Sequence, residues 1–189
     1  MKSLRFMQSV VLLSLSTLAF AQSHDHTSND KPAPSEARKS FDIIKTMAGE
    51  WDGSVTVAEA PKMSGAKMHL SLRVTSRGNS VVHEFQEANT PLDPAKFDHP
   101  VTMLYVDGEQ LNLVHYCDAG NRPRMTGKMS PDGNTVEFTF ADISGSTKTG
   151  YMQHALFAYI DATHHTEDWT YMMPGDKPMH AHFDLHRLN

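Results

Sequence analysis

From Trp51 to the C-terminus, apolar and polar residues alternate in short runs, the period of strands that bury one face. The pattern predicts strands over 50–57, 67–76, 79–87, 101–107, 110–117, 122–129, 134–142, 151–160, 165–173 and 179–188. Gly, Pro, Asp and Asn punctuate them. Asp107-Gly108 and Asp132-Gly133 supply the positive φ of tight hairpin turns, and Pro174-Gly175-Asp176 makes another turn. Short strands in sequence with no long helix between them predict an all-β, antiparallel up-and-down barrel of about eight to ten strands. Closure into a barrel removes the exposed edges that an open sheet must protect.

Before the strands the period changes. Ser35 can cap a short helix on which Phe41, Ile44 and Met47 recur at helical spacing, with Gly49 as the stop. The first 21 residues carry Lys2 and Arg5, an apolar run from Val10 and then Ala19-Phe20-Ala21, the order of a secretory signal peptide. The apolar run is short for a span, which needs roughly 20 residues. Residues 22–35, QSHDHTSNDKPAPS, lack side chains that pack and read as a histidine-bearing flexible tail. The expected organisation is therefore a signal peptide over 1–21, a tail over 22–35 and one barrel domain over 36–189. Export to the periplasm or beyond is expected, with no integral membrane segment after cleavage.

The formal charge is −5, and loss of Lys2 and Arg5 makes it more negative. No basic stripe follows a phosphate backbone, which excludes nucleic acid as a partner. A lone cysteine, Cys117, cannot form an internal disulfide, so it serves either as a small buried hydrophobe or as a functional thiol. All 12 histidines lie after Ala21. Nothing in the pattern fixes the assembly beyond a monomer or small homo-oligomer.

The segment Met47-Ala48-Gly49-Glu50-Trp51 resembles the Gly-x-Trp opening of the calycin superfamily, which includes lipocalins and fatty-acid-binding proteins. The resemblance implies that Trp51 closes one end of the barrel and that a basic residue of the last strand, here Arg187, packs across it. Such a contact is sound, because a guanidinium plane stacks favourably on an indole. His115-Tyr116-Cys117 with Asn121-x-Pro123-Arg124-Met125 is similar to a hairpin of exported bacterial lipocalin-like proteins of unknown function. So are Phe157 to Ala162 and Glu167-Asp168-Trp169-Thr170. That resemblance spans most of the chain from residue 41 and implies a fold and a compartment, with no activity attached.

Two hairpins carry the candidate binding residues. In the first, Leu111, Leu113, His115 and Cys117 share a face, and a four-residue loop over 118–121 would set Cys117 opposite Arg122 and His115 opposite Arg124. His115, Cys117 and Arg124 would then project into the barrel, where the fork of Arg124 suits a carboxylate. In the second, a turn at Ala162-Thr163 would pair Ile160 with His165, Ala158 with Glu167, Leu156 with Trp169 and His154 with Tyr171. That puts His154, Glu167, Trp169 and Tyr171 on one face, directed inward unless the opposite face, with Phe157 and Tyr159, is the core one. Apolar walls with a few convergent polar groups describe a pocket for a small ligand. Interior arginine and tyrosine in fatty-acid-binding proteins imply, by resemblance, an organic acid.

Metal chemistry is the alternative. A mature N-terminus Gln22-Ser23-His24 would offer the square-planar nitrogen set of Cu(II), and Met172, Met173, Met179, His180 and His182 are the ligand types of copper. His115 or His154 could hold haem through one imidazole, although no attachment motif such as CxxCH is present. A cofactor is therefore not required, with copper or haem as alternatives. Catalysis ranks below binding. Residues i and i+2 on a strand lie roughly 7 Å apart, which is too far for direct proton transfer between His115 and Cys117. No GxSxG, HExxH, P-loop or dinucleotide fingerprint occurs.

Overall fold

Ser35 accepts a hydrogen bond from the Arg38 backbone N–H and so starts α1 (Glu36–Thr46), the first element of a computed structural model that describes residues 33–189. The expected signal peptide, the expected tail as far as Pro32, and His24 within it lie outside the described residues. Phe41, Ile44 and Met47 are buried along one stripe of the helix. The chain leaves it through Gly49 at φ +148°, where a Cβ would lie 2.3 Å from the Arg187 guanidinium.

Ten antiparallel strands follow: β1 (Gly49–Val57), β2 (Lys67–Thr75), β3 (Ser80–Glu87), β4 (Val101–Asp107), β5 (Gln110–Tyr116), β6 (Arg122–Met129), β7 (Thr135–Ser144), β8 (Tyr151–Asp161), β9 (His164–Met173) and β10 (Lys177–Arg187). Each pairs with its neighbour in sequence, and β1 pairs with β10 to close the barrel. The fold is the antiparallel barrel with a short leading helix that alternation predicts, and strand ends fall within two residues of the expected ones. Gly53, mid-way along β1, lets the β10 backbone approach so closely that a Cβ would stand 1.9 Å from the Asp184 carbonyl oxygen.

The two ends of the barrel differ. α1 lies against β4, β5 and β6 and fills one end with Phe41, Ile44 and Met47. Trp51 is fully buried there and donates its indole N–H to the Met47 carbonyl at 2.9 Å. The Arg187 guanidinium lies 4.2 Å above the Trp51 ring and donates to the carbonyls of Ala48, Thr46 and Ala162. One arginine thus ties the helix exit to the β8–β9 turn. At the other end, the 88–100 and 145–150 segments connect strands whose first and last residues form an apolar mouth. Among the described residues no helix is long and apolar enough to cross a membrane.

Candidate functional site

Two groups of polar side chains interrupt the apolar barrel interior, one around Glu167 and one formed by His115 and Thr102. Val81, His83 and Phe85 of β3 face inward together, as do His165, Glu167 and Trp169 of β9, because alternate strand residues share a face. The Glu167 carboxylate accepts from His83 Nε2 at 2.9 and 3.2 Å, from His165 Nε2 at 3.2 Å and from Trp169 Nε1 at 2.9 Å. All three partners are buried, and Glu167 is wholly so. Burial pushes the carboxyl pKa up. The charge on His83 and the hydrogen bonds from His165 and His83 outweigh that and hold it at about 2.

His115 enters the interior from β5. Its Nδ1 shares a hydrogen bond with Thr102 Oγ1 at 2.8 Å, while Nε2 is buried with no partner. That nitrogen belongs to a ring that lines a cavity of about 170 Å³ at the mouth, together with Phe85, Pro100, Met152, Trp169, Tyr171, Met179, Ala181 and Phe183. The walls are almost entirely apolar. Trp169 joins the cavity to the buried carboxylate: its ring lies 5.6 Å from the His115 ring, and its N–H is fixed by Glu167. Tyr171 is anchored by donation from its hydroxyl to the Thr149 carbonyl at 2.9 Å.

Burial, and then the charge on His83, depress the His115 pKa to about 3. The unfolded chain binds this proton near pH 6.5, so between pH 6.5 and 3 the unfolded state holds a proton that the folded state lacks. Stability therefore falls as pH drops through that window. At about 1.4 kcal/mol per pH unit for one proton, urea denaturation should show a loss of about 2–3 kcal/mol between pH 6 and 4. His115→Leu should flatten that slope. An unchanged slope in the variant would place the acid sensitivity in other groups.

Several sequence-predicted site residues stand elsewhere. The first hairpin turns one residue earlier than expected, with Gly120 N–H donating to the Cys117 carbonyl, and Val114 rather than His115 pairs with Arg124. One residue of slip inverts a strand's faces. Arg124 therefore lies on the outer wall, bound to Asp142 and to the Asn112 side-chain oxygen. Cys117 sits in the turn, half-buried beside Asp98 and Asp118 in a surface groove, where burial raises its thiol pKa. In the second hairpin a bulge between Tyr159 and Asp161 shifts the register, so Phe157 faces Glu167 and Ala155 faces Trp169. Phe157 and Ala155 point inward, and His154 points outward to Glu137. Glu167, Trp169 and Tyr171 keep the expected inward side.

The copper set is divided between faces. Met179 lines the mouth cavity, whereas His180 and His182 are on the outer side of β10, bound to Glu59 and Asp168. Met172 alternates outward with Thr170, and Met173 is exposed at the strand end. His83, His165 and Thr102 were not among the expected site residues. His83 nonetheless carried a local signal, since it alternates with Val81 and Phe85 in SVVHEFQE.

No family model matches this chain, and no curated protein matches it. Solved structures share its fold. The crystal structure of Rv2717c from M. tuberculosis is similar with a TM-score of 0.56 at 14% identity, covering 79% of this chain and 98% of that one. A protein of unknown function from the DUF3598 family of Nostoc punctiforme gives a TM-score of 0.53 at 9% identity, covering 77% of this chain and 48% of that one. At such identities the likeness concerns the barrel alone.

Proposed function

We propose that the protein binds a small, mostly apolar molecule in the barrel mouth, packed on Trp169 and hydrogen-bonded to His115. The observation that carries this reading is the unpaired, buried Nε2 of His115, a residue that lines an otherwise apolar cavity. A buried polar atom without a partner costs roughly 1–3 kcal/mol, and a ligand that satisfies it recovers that cost. The cavity, about 170 Å³, is close to the ~150 Å³ that holds benzene, so a single ring with one polar substituent matches its size. A neutral ligand is favoured over an organic acid, because the guanidinium suited to a carboxylate lies on the outer wall in an ion pair with Asp142. The reading places the protein outside the cytoplasm as a soluble carrier, following its signal-like N-terminus.

Phenol is a suitable probe, and the chain has only two tryptophans, one of them in the cavity wall. Phenol should change the intrinsic fluorescence saturably, and benzoate should bind more weakly. His115→Leu should weaken phenol by about 1 kcal/mol, the worth of one neutral hydrogen bond. Ala181→Phe, which fills the cavity, should abolish binding. Equal phenol affinity in the wild type and in a folded Ala181→Phe variant would remove the mouth cavity as the site. Native mass spectrometry of protein purified without a histidine tag should show an organic adduct that is lost on denaturation.

A further inference from the structure

On the outer wall, the last two strands bring three metal-ligating side chains together. His164 of β9 stands directly across from His186 of β10, and Asp184 shares the face of His186 two residues earlier. Asp184 Oδ1 lies 2.7 Å from His164 Nε2 and 3.5 Å from His186 Nε2. The imidazoles are stacked, with centroids 4.4 Å apart and planes at 19°. One donor atom of each residue lies within 4.8 Å of the other two.

This cluster differs from the other exterior histidines. His180 has Glu59 to itself and His182 has Asp168, as expected of surface ion pairs. His164 and His186 instead converge on one carboxylate oxygen, an arrangement in which two imidazoles compete for one partner. A tetrahedral zinc ion with bonds of about 2.0–2.1 Å holds its donor atoms roughly 3.3 Å apart, so the His164–Asp184 pair must open by about half an ångström and no pair need close by more than about an ångström and a half. A cation would also give each imidazole nitrogen its own bond, at the expense of the ring stacking. Asp52, across from His186 on β1, is on the same face but is held by His69 Nδ1 at 2.7 Å, so it adds negative charge nearby rather than a free ligand. His186 and Asp52 border an open groove, leaving room for water on the exposed side.

We propose that His164, Asp184 and His186 bind a divalent first-row cation of the zinc class, with water completing its coordination. Two imidazoles and a carboxylate are a donor set that suits such ions. The site is on the outer wall near the end plugged by α1, so it is independent of the mouth cavity and of what fills it.

Zinc titration by calorimetry tests this. The full chain should carry His24→Ala and His26→Ala, so that no imidazole N-terminal to the barrel contributes. One zinc ion per chain is expected, with affinity falling about tenfold or more in His186→Ala and again in Asp184→Asn. His180→Ala and His182→Ala should leave it unchanged. Binding that ignores His186 and Asp184, or that weakens equally in all four variants, overturns the site in favour of diffuse surface binding. The four barrel side chains altered are exposed positions of β10, and a circular dichroism melt of each variant identifies any that fails to fold while the others still decide the result.

Discussion

Glu167→Ala should destabilise the barrel by about 3–5 kcal/mol, the cost of breaking one side of a buried charged cluster. The carboxylate is the sole acceptor for His83 Nε2, His165 Nε2 and the Trp169 indole N–H, all enclosed by the barrel. Alanine strands all three buried donors at once. Glu167→Gln should cost less, because one oxygen still accepts, although its amide N–H₂ must face one of the donors. The decisive variant is the double substitution Glu167→Leu with His83→Phe. It removes the acceptor together with one of its three donors and places an apolar ring where His83 already stacks on Phe157 at 5.6 Å. Replacing both partners of a buried polar pair is often near neutral, so the double variant should recover the His83 share of the stability lost in Glu167→Ala, while His165 Nε2 and the Trp169 N–H stay without an acceptor. Urea denaturation at neutral pH measures each. A loss below 1 kcal/mol in Glu167→Ala would mean that water replaces the carboxylate, and that the network is not sealed. Because Glu167 fixes the Trp169 indole, the same variant should also loosen the wall of the mouth cavity and weaken phenol.

How much of this was legible in the residues depends on the range over which each feature is determined. The helix start at Ser35 and the strands are local, set by a capping side chain and by alternation bounded with Gly and Asp turns, and they occur where the pattern puts them. The facing of side chains across a hairpin depends on a single residue in the turn or in a bulge. Cys117 enters the turn, and Ile160 is absorbed in a bulge; each event moves a whole set of partners to the other wall, Arg124 and His154 among them. Nothing in the side chains near Ala162-Thr163 announces that bulge. The buried cluster shows a third kind of determination. His165, Glu167 and Trp169 sit at i, i+2 and i+4 on one strand, so their shared face was readable. The meeting of Glu167 with His83 was not, because β3 and β9 are not neighbours and touch only across the closed interior.

Trp51→Ala should cost about 3–5 kcal/mol, the range for deleting a large aromatic from a packed core. The ring has no exposed surface, and three separate contacts hold it: the Met47 carbonyl accepts its N–H at 2.9 Å, Arg187 covers one face at 4.2 Å, and His165 meets it edge-on at 4.2 Å and 89°. Removal leaves a void beneath α1 and takes away the surface on which Arg187 rests while it donates to Thr46, Ala48 and Ala162. Trp51→Phe separates these effects. It keeps most of the volume and the aromatic face but leaves the Met47 carbonyl without its donor, and should cost nearer 1–2 kcal/mol. Hydrogen exchange gives the spatial readout: in Trp51→Ala the amides of α1 should lose protection first, because the helix is docked through Phe41, Ile44 and Met47 onto the same end. A cost below 1 kcal/mol would mean that those three residues plug the barrel without the tryptophan. The mouth offers the contrast that gives the variant its use. Trp51→Ala weakens the closed end, so phenol affinity at the opposite end should change little if the two ends are built independently, whereas a parallel loss of binding would show that the His165–Glu167–Trp169 chain couples the plug to the cavity.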